Sequence, residues 1–131
     1  MSNTPTIRLL VVDDSETNRY ALSRQLIKRG ATVEEASNGA EALKLAETLP
    51  NAMLLDIHLP DMTAYHLLER LRESPATKSL PVILMSAVEP PPQARLRAEN
   101  LGVHSFLTLP VLSDDLWIVV QATLQRRQHK S

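Results

Sequence analysis

Three aspartates follow two short apolar segments of this chain. Asp56 ends the run Met53-Leu54-Leu55, and Asp13 and Asp14 directly follow the segment Ile7 to Val12. Continuous apolar runs of this length, bounded by turn residues, are typical of strands buried on both faces of a parallel sheet. Open parallel sheets place their ligand crevice at the carboxyl ends of the strands. We therefore expect the three carboxylates to converge at one edge of a sheet.

The charge of such a cluster indicates its chemistry. Close carboxylates repel one another, and one of them takes up a proton unless a cation lies between them. Mg²⁺ is suited to this place because it prefers oxygen ligands and binds through few carboxylates together with phosphate and water. With Mg²⁺ bound, Asp56 could attack a phosphoryl group and form an aspartyl phosphate. Alone, Asp13-Asp14 would favour a turn or helix-cap pair, but together with Asp56 and Ser86 at matching strand ends they favour a metal site.

Length and composition exclude several other classes of function. The chain has 131 residues, a net charge of -1 and no cysteine. This is the size of one domain, and the absence of cysteine excludes disulfides, zinc–thiolate sites and thiol catalysis. The near-neutral charge gives no reason to expect nucleic-acid binding. Neither a signal peptide nor a membrane span is indicated, so we expect a soluble, cytoplasmic domain that binds no membrane.

Strands and helices alternate along the chain. Apolar segments predict five strands, at residues 7–12, 31–36, 53–56, 81–85 and 103–107. Helical spacing between and after them predicts five helices, with limits at Ser15 or Thr17 to Gly30, Asn38-Gly39 to Pro50, 63–73, Pro90-Pro91-Pro92 to Gly102, and Ser113 or Asp114 to about Arg126. Short connections then require right-handed crossovers and a doubly wound parallel sheet with helices on both faces. The domain would span residues 7–126, between a tail at 1–6 and a basic tail at 127–131.

The spacing also predicts which helix residues face the core. Ala21, Leu22 and Leu26 are the expected inward residues of the first helix. Ala42, Leu43, Ala46 and Leu49 are those expected of the second helix.

With these motifs in this order, the chain resembles the receiver domain of two-component response regulators, from about Thr6 to Leu124. The matching segments are Val11-Val12-Asp13-Asp14-Ser15, Leu54-Leu55-Asp56 with Pro60, Met85-Ser86-Ala87, and Phe106-Leu107 before Pro110. The resemblance implies a flavodoxin-like sheet of five strands in the order 2-1-3-4-5.

The resemblance also implies a role for each aspartate. Asp56 would accept a phosphoryl group from a phosphohistidine on a histidine kinase or a histidine phosphotransfer protein. Asp13 and Asp14 would hold Mg²⁺, together with Asp56 and the backbone carbonyl of His58. The domain would be a signalling domain that assists its own phosphorylation and dephosphorylation, not an enzyme. It would be either a stand-alone regulator or the receiver of a hybrid kinase.

A second set of residues would bind the phosphoryl group or report it. The Ser86 hydroxyl, in the motif with Ala87, would donate a hydrogen bond to the phosphoryl group, and Phe106 would turn inward on activation. The chain departs from the family where Leu109 replaces the lysine before Pro110. That lysine reaches the phosphoryl group, and two unit charges about 4 Å apart interact by roughly 4 kcal/mol before desolvation at an effective dielectric of 20.

Two further departures are milder. Thr63-Ala64 replaces an Asp-Gly pair of the family, and Thr63 can still cap the following helix. Pro90-Pro91-Pro92 restricts the loop that moves with the Ser86 hydroxyl.

Two alternatives to a phosphoacceptor remain. Leu109 favours a pseudo-receiver, a protein-interaction module that signals without phosphate, whereas the three aspartates favour phosphotransfer. A phosphohydrolase of haloacid-dehalogenase type also forms an aspartyl phosphate. It needs a second acid two residues after the nucleophile, where this chain has His58.

The last predicted helix is apolar on all sides at residues 116–120. One interpretation is a wide core face with a few exposed apolar residues. The other is a partner or homodimer surface at Trp117 and Ile118, because aromatic anchors dominate protein interfaces.

Overall fold

The structure, a computed structural model, describes residues 6–128 and contains five strands and five helices in strict alternation. The strands are β1 (Arg8–Val12), β2 (Thr32–Ala36), β3 (Ala52–Asp56), β4 (Val82–Ser86) and β5 (Ser105–Thr108). The helices are α1 (Glu16–Lys28), α2 (Gly39–Ala46), α3 (Ala64–Glu73), α4 (Pro92–Asn100) and α5 (Ser113–Gln128).

All neighbouring strands are parallel, and the strand order is β2-β1-β3-β4-β5. The predicted doubly wound fold and its 2-1-3-4-5 order are therefore confirmed. The register places Val12 beside Leu55 and Asp56 beside Met85. Consequently the residues that follow β1, β3 and β4 meet at one edge of the sheet.

The sheet is buried on both faces, which explains its nearly continuous apolar strands. Leu10 and Val12 pack in one core layer, against residues of α2, α3 and α4. Leu9 and Val11 point the other way, into a second layer with residues of α1 and α5. Successive side chains of a strand alternate between faces, so a strand covered on both sides needs apolar residues at every position.

Side-chain caps begin the three helices that follow β1, β2 and β3. Ser15 Oγ accepts a hydrogen bond from the Asn18 backbone N–H (3.2 Å), and Asn38 Oδ1 accepts one from the Glu41 N–H (2.8 Å). Thr63 Oγ1 caps α3 at 3.0 Å, so this departure from the family keeps the helix start. These caps satisfy N–H groups that the first helical turn leaves unpaired. Helix α4 instead begins with Pro92 in its first turn and has no side-chain cap.

Some sequence-based expectations about the helices were wrong. Helix α2 ends at Ala46, and Leu49 lies beyond it with a φ of 58° and a 55% exposed side chain. Its left-handed backbone reverses the chain toward β3, which turns the side chain away from the core. Ala21 is exposed, and Ser23 is buried in α1 instead.

Element boundaries also differ at the end of the chain. Strand β5 begins at Ser105, not at residue 103, because Val103 still bonds through its N–H to the Ala98 carbonyl at the end of α4. Helix α5 reaches Gln128, so the predicted domain end at Arg126 falls within it. Residues 1–5 and 129–131 lie outside the described residues, and the division into domain and tails stays a prediction.

Within residues 6–128, no helix combines the length and apolar character that crossing a membrane requires. The expected cytoplasmic location stays a prediction.

Candidate functional site

The structure brings Asp13, Asp14 and Asp56 together at the carboxyl edge of the sheet. Each carboxylate has an oxygen within 4.8 Å of an oxygen of the other two. Asp13 is buried, Asp56 is half-buried and Asp14 is exposed. This proximity arises because β1 and β3 are adjacent and end at the same level.

The buried carboxylate of Asp13 is only half satisfied. Its Oδ1 accepts a hydrogen bond from the Ser15 N–H at 2.8 Å, whereas Oδ2 is buried without a hydrogen-bond partner among the described residues. Burial is the main cause that raises the pKa of Asp13 from its ordinary value of 3.8 to about 6; the negative charges of Asp56 and Asp14 act in the same direction, and the bond from Ser15 opposes them. Metal-free, the site therefore favours a proton on one of its acids.

These residues fit a small divalent cation. A buried carboxylate oxygen without a donor is costly, and a metal ion close to it would remove that cost. The three oxygens are close enough to share one ion, and exposed Asp14 leaves the site open to water. Mg²⁺ keeps several waters when it binds through few carboxylates, which suits such a half-open site.

The loop after Asp56 is fixed at several points. Asp56 Oδ1 accepts a hydrogen bond from the His58 N–H at 3.0 Å, and His58 pairs with Thr63 in an antiparallel bridge. Asp61 accepts hydrogen bonds from the first N–H groups of α2, those of Gly39 (2.8 Å) and Ala40 (3.0 Å). The bond from Gly39 is the main reason that the pKa of Asp61 is lowered.

The sequence did not indicate a role for Asp61, because its hydrogen-bond partners lie 21 and 22 residues away along the chain. No local pattern joins a loop acid to a distant helix start. The cap holds the loop that carries His58 against α2, and it thereby helps to orient the Asp56 carboxylate.

Ser86 lies at the end of β4, one position beyond Met85, the register partner of Asp56. It is buried, and its Oγ accepts a hydrogen bond from the Val88 N–H at 3.1 Å. Ala87 is exposed in the turn that follows. The Ser86 hydroxyl hydrogen is thus still free to be donated to a ligand near Asp56.

Ser86 and Phe106, the aromatic of β5, both line a cavity of about 150 Å³. Phe106 is half-buried and packs against the first core layer. The guanidinium carbon of Arg95, in α4, lies 4.2 Å from the centre of its ring. Arg95 also pairs with Glu89 (3.4 Å) and Glu99 (4.0 Å). Arg95 was not singled out from the sequence, since a lone arginine on a polar helix carries no local signal.

Leu109 points away from this cavity. It is half-buried and packs in the second core layer, the layer that contains Trp117. Among the described residues that line the cavity beside Ser86, Arg95 is the only cation. The position of the family's lysine is therefore occupied by an apolar side chain that supports α5.

Trp117 and Ile118 differ in exposure. Trp117 is half-buried against the second core layer, which fits the wide core face, whereas the Ile118 side chain is 61% exposed.

Comparison with known proteins agrees with this geometry. Residues 9–121 match the family model of the response regulator receiver domain. Protein PilH from Pseudomonas aeruginosa is 30% identical over 118 residues, which cover 89% of this chain and 97% of PilH. The sensor histidine kinase CheAY from Helicobacter pylori is also 30% identical over 89% of this chain, but the match covers only 15% of that kinase.

Among solved structures, chemotaxis protein CheY4 of Vibrio cholerae superimposes with a TM-score of 0.85 at 26% identity, over 91% of this chain and 99% of that one. The receiver thus occurs both as nearly a whole protein and as a small part of a long one. Receiver domains bind Mg²⁺ at an acidic pocket, and they interact with histidine kinases or phosphotransfer proteins. By its sequence match, its strand order and its acidic edge, the chain belongs to the response regulator receiver domain family and is a signalling domain of two-component systems.

Proposed function

We propose that this domain accepts a phosphoryl group on Asp56 with the help of Mg²⁺. The observation that carries the proposal is the buried, unpartnered Oδ2 of Asp13 within a cluster of three carboxylates. Such an arrangement is costly for an unliganded fold and suits a cation that binds at the same time as a phosphoryl group.

In the proposed reaction, an oxygen of Asp56 attacks the phosphorus of a phosphohistidine. A P–O bond forms as the P–N bond breaks, and the imidazole leaves and takes up a proton from water. The His58 N–H holds one oxygen of Asp56, which orients the carboxylate for attack. The mixed anhydride formed on Asp56 is lost again when water attacks the phosphorus.

Bound Mg²⁺ would offset negative charge on the transferring phosphoryl oxygens. Asp13, Asp14 and Asp56 are the residues that would hold it, and the backbone carbonyl of His58 stays a predicted fourth protein ligand. Asp13 would then be ionised in the loaded site, because a nearby cation favours the charged carboxylate.

Ser86 and Phe106 would report the phosphoryl group. The Ser86 hydroxyl would rotate from its place beside the Val88 N–H and donate to a phosphoryl oxygen, with Ala87 moving in the same turn. Phe106 would then occupy the cavity of about 150 Å³ that it lines together with Ser86. This movement would break the stacking of Arg95 on the ring and release α4.

The phosphodonor would be a histidine kinase or a histidine phosphotransfer protein. The domain would act either as a stand-alone regulator or as the receiver of a hybrid kinase.

The homodimer predicted through the last helix would use exposed Ile118, with Trp117 as its supporting side chain. Sedimentation of the protein and of Ile118→Glu tests this dimer, and a monomer at all concentrations would disprove it.

Intact-mass measurement after incubation with Mg²⁺ and a small acyl-phosphate donor tests the acceptor. We expect one phosphoryl adduct in the native chain and none in Asp56→Ala, while Asp115→Ala, which changes an exposed acid of α5 outside the cluster, still forms the adduct. If the native chain stays unmodified with both the small donor and a phosphorylated phosphotransfer protein, the proposal is wrong.

The second candidate function is the pseudo-receiver, a binding module that works without phosphate. Leu109 packed in the apolar core favours it, since the site lacks the family's phosphate-binding lysine. It predicts that partner binding is equal for the native chain and Asp56→Ala, with or without the acyl-phosphate donor. A partner affinity that depends on the donor only in the native chain would exclude it.

A further inference from the structure

A second and larger cavity, of about 500 Å³, opens at the opposite edge of the sheet, where β4 and β5 begin. Its walls come from the segment before β4, the end of α4 and the last turns of α5. The aspartate cluster lies at the carboxyl ends of the strands, so this cavity is separate from the phosphoacceptor site.

Every charged residue that the structure places in the wall of this cavity is basic. Arg72, Lys78 and Arg126 line it together with His104, and no aspartate or glutamate is among the described lining residues. The chain as a whole has a net charge of -1, so these cations are concentrated in one place. A concave site lined by one sign of charge attracts ions of the other sign.

The cations of this cavity have no acidic partner among the described residues. Five arginines elsewhere in the fold pair with carboxylates, namely Arg8, Arg19, Arg29, Arg95 and Arg97, whereas Arg24 and Arg70 form no such pair within the part of the chain that the structure describes. Lys78 and Arg126 form no ion pair with any carboxylate in residues 6–128. Their side chains are exposed at the cavity and available to a ligand.

Arg72 supplies a fixed positive charge in the cavity wall. Its Nε donates to the Leu101 carbonyl (2.8 Å), and its Nη1 donates to the carbonyls of Leu80 (2.8 Å), Lys78 (3.1 Å) and Thr77 (3.3 Å). Burial lowers its pKa, and no carboxylate in residues 6–128 forms an ion pair with it. These bonds hold the guanidinium in place before any ligand arrives.

Gly102 lets the backbone approach this guanidinium closely. A Cβ there would lie 3.3 Å from Arg72 Nε, and the φ of 85° is one that other residues rarely adopt. This side of the cavity is therefore formed by the Arg72 guanidinium together with the backbone turn at Gly102.

The rest of the cavity suits an organic group. Leu80, Pro81, Val82 and Leu101 also line it. Sites for small organic ligands usually have volumes of roughly 300–1,000 Å³ and combine apolar walls with a few convergent polar groups. A simple inorganic anion would leave most of this volume and its apolar part unused.

We propose that this cavity binds a small organic phosphate of nucleotide size, with the phosphate between Lys78 and Arg126 and the organic part against Leu80 and Leu101. A phosphate monoester carries about -1.5 to -2 charges at neutral pH, which matches several converging cations. One guanidinium group can donate two parallel hydrogen bonds to two oxygens of a phosphate, and the ammonium of Lys78 adds a mobile donor. The proposal is independent of phosphotransfer to Asp56.

Amide NMR of the full chain, titrated with adenosine 5′-monophosphate in EDTA without Mg²⁺, tests this proposal. We expect saturable shifts at Gly102 and Ser105, and weaker binding of inorganic phosphate. Lys78→Ala/Arg126→Ala should lower the affinity by roughly tenfold, because two exposed charge contacts are lost. Lys28→Ala/Lys44→Ala removes the same charge from exposed sites of α1 and α2 and should leave the affinity unchanged.

The same titration with ribose 5-phosphate, which lacks the base, shows whether the cavity recognises the base or only the sugar phosphate. Equal affinity for both compounds assigns the site to sugar phosphates, and tighter binding of adenosine 5′-monophosphate assigns it to nucleotides. The proposal is overturned by absence of binding at millimolar ligand, by shifts confined to the aspartate cluster, by equal losses in the two double variants, or by inorganic phosphate that binds as tightly as the organic phosphates.

Discussion

Asp13 carries most of the electrostatic cost of the metal-free site, since it is the buried member of the three acids. Its pKa of about 6 in the fold lies above its ordinary 3.8, so the fold favours the protonated form. Stability from this group is fully present below pH 3.8 and is lost as the pH rises through 6.

A neutral side chain at position 13 should therefore stabilise the metal-free protein at high pH. For Asp13→Asn in EDTA we expect a free energy of unfolding about 2 to 3 kcal/mol higher than that of the native chain at pH 8, and no gain near pH 3.8. Urea unfolding at both pH values measures this. Asp115→Asn, which changes an exposed aspartate of α5 outside the cluster, is the control and should give no such pH-dependent gain. An Asp13→Asn gain that does not change with pH would contradict the assignment.

A substitution at Leu109 can distinguish metal binding at the aspartates from the conformational change that phosphorylation causes at α4. Its side chain belongs to the core beneath α5 rather than to the cavity beside Ser86. We expect Leu109→Lys to leave Mg²⁺ affinity nearly unchanged, because the aspartates are untouched. It should enlarge the phosphate-induced change at α4, since a lysine there would add an attractive charge for the phosphoryl group.

Amide NMR of α4 before and after treatment with the acyl-phosphate donor measures that response. Leu109→Met, which keeps the apolar character and approximate volume, is the control for altered packing. Equal responses in all three proteins would show that a lysine at this position does not strengthen the coupling.

Helix α4 is the least embedded of the elements around the site. Only Ala98 is buried in it, and two arginines hold it to aromatic rings on either side: Arg95 to Phe106 of β5, and Arg97 to Tyr65 of α3. Contacts of this kind are individually weak, so they can hold a helix and still allow it to move.

Removal of one stacking arginine should loosen α4 without unfolding the domain. Arg95→Ala is expected to lower the free energy of local opening of residues 92–100 by about 0.5–1 kcal/mol, the usual value of an exposed cation–π contact. Hydrogen exchange of the α4 amides measures it. Arg24→Ala, which removes the more distant stacking on Tyr20 at 5.8 Å, should leave α4 exchange unchanged. If both variants exchange like the native chain, the stacking does not restrain the helix.

The accuracy of sequence-based prediction also depends on the element. The strands and the caps at Ser15 and Thr63 are local patterns, and they were predicted at or near their positions, Ser15 as one of two candidates with Thr17. Asn38 was predicted only as part of a turn, and the structure shows that it also caps α2. The predicted end of α2 was wrong because Leu49 is apolar and has the spacing expected for a further turn of the helix. Asp61 and the second cavity depend on residues distant in sequence, for which one chain gives no pattern.

At the scale of the whole molecule, charge is separated between the two edges of the sheet. Asp13, Asp14 and Asp56 lie at the carboxyl edge, and Arg72, Lys78 and Arg126 line the cavity at the other. The net charge of -1 conceals this separation because the opposing groups cancel in the sum. The two edges are therefore suited to ligands of opposite charge.

Mg²⁺ should stabilise the entire fold, because an ion that binds only the folded state shifts unfolding by mass action. At a hundredfold excess over its dissociation constant, the expected gain is about 2.7 kcal/mol, seen as a higher melting temperature. Asp13→Asn should lose most of this gain, whereas Asp115→Asn, which changes an exposed acid of α5 outside the cluster, should keep it. A melting temperature of the native chain that is independent of Mg²⁺ would contradict the metal site.

The strand order has a consequence for synthesis of the chain on the ribosome. Strand β3 pairs with β1 on one side and with β4 on the other, yet more than twenty residues separate the end of β3 from the start of β4. Until β4 emerges, the nascent chain exposes one edge of β3, Ala52–Asp56, an apolar edge of the kind that invites pairing with other chains. The helix α3 that emerges in between has an apolar face, which includes Leu67 and Leu68, and it can cover the apolar side chains on one face of this strand before β4 arrives. Early folding of α3 would therefore protect the newborn chain from aggregation.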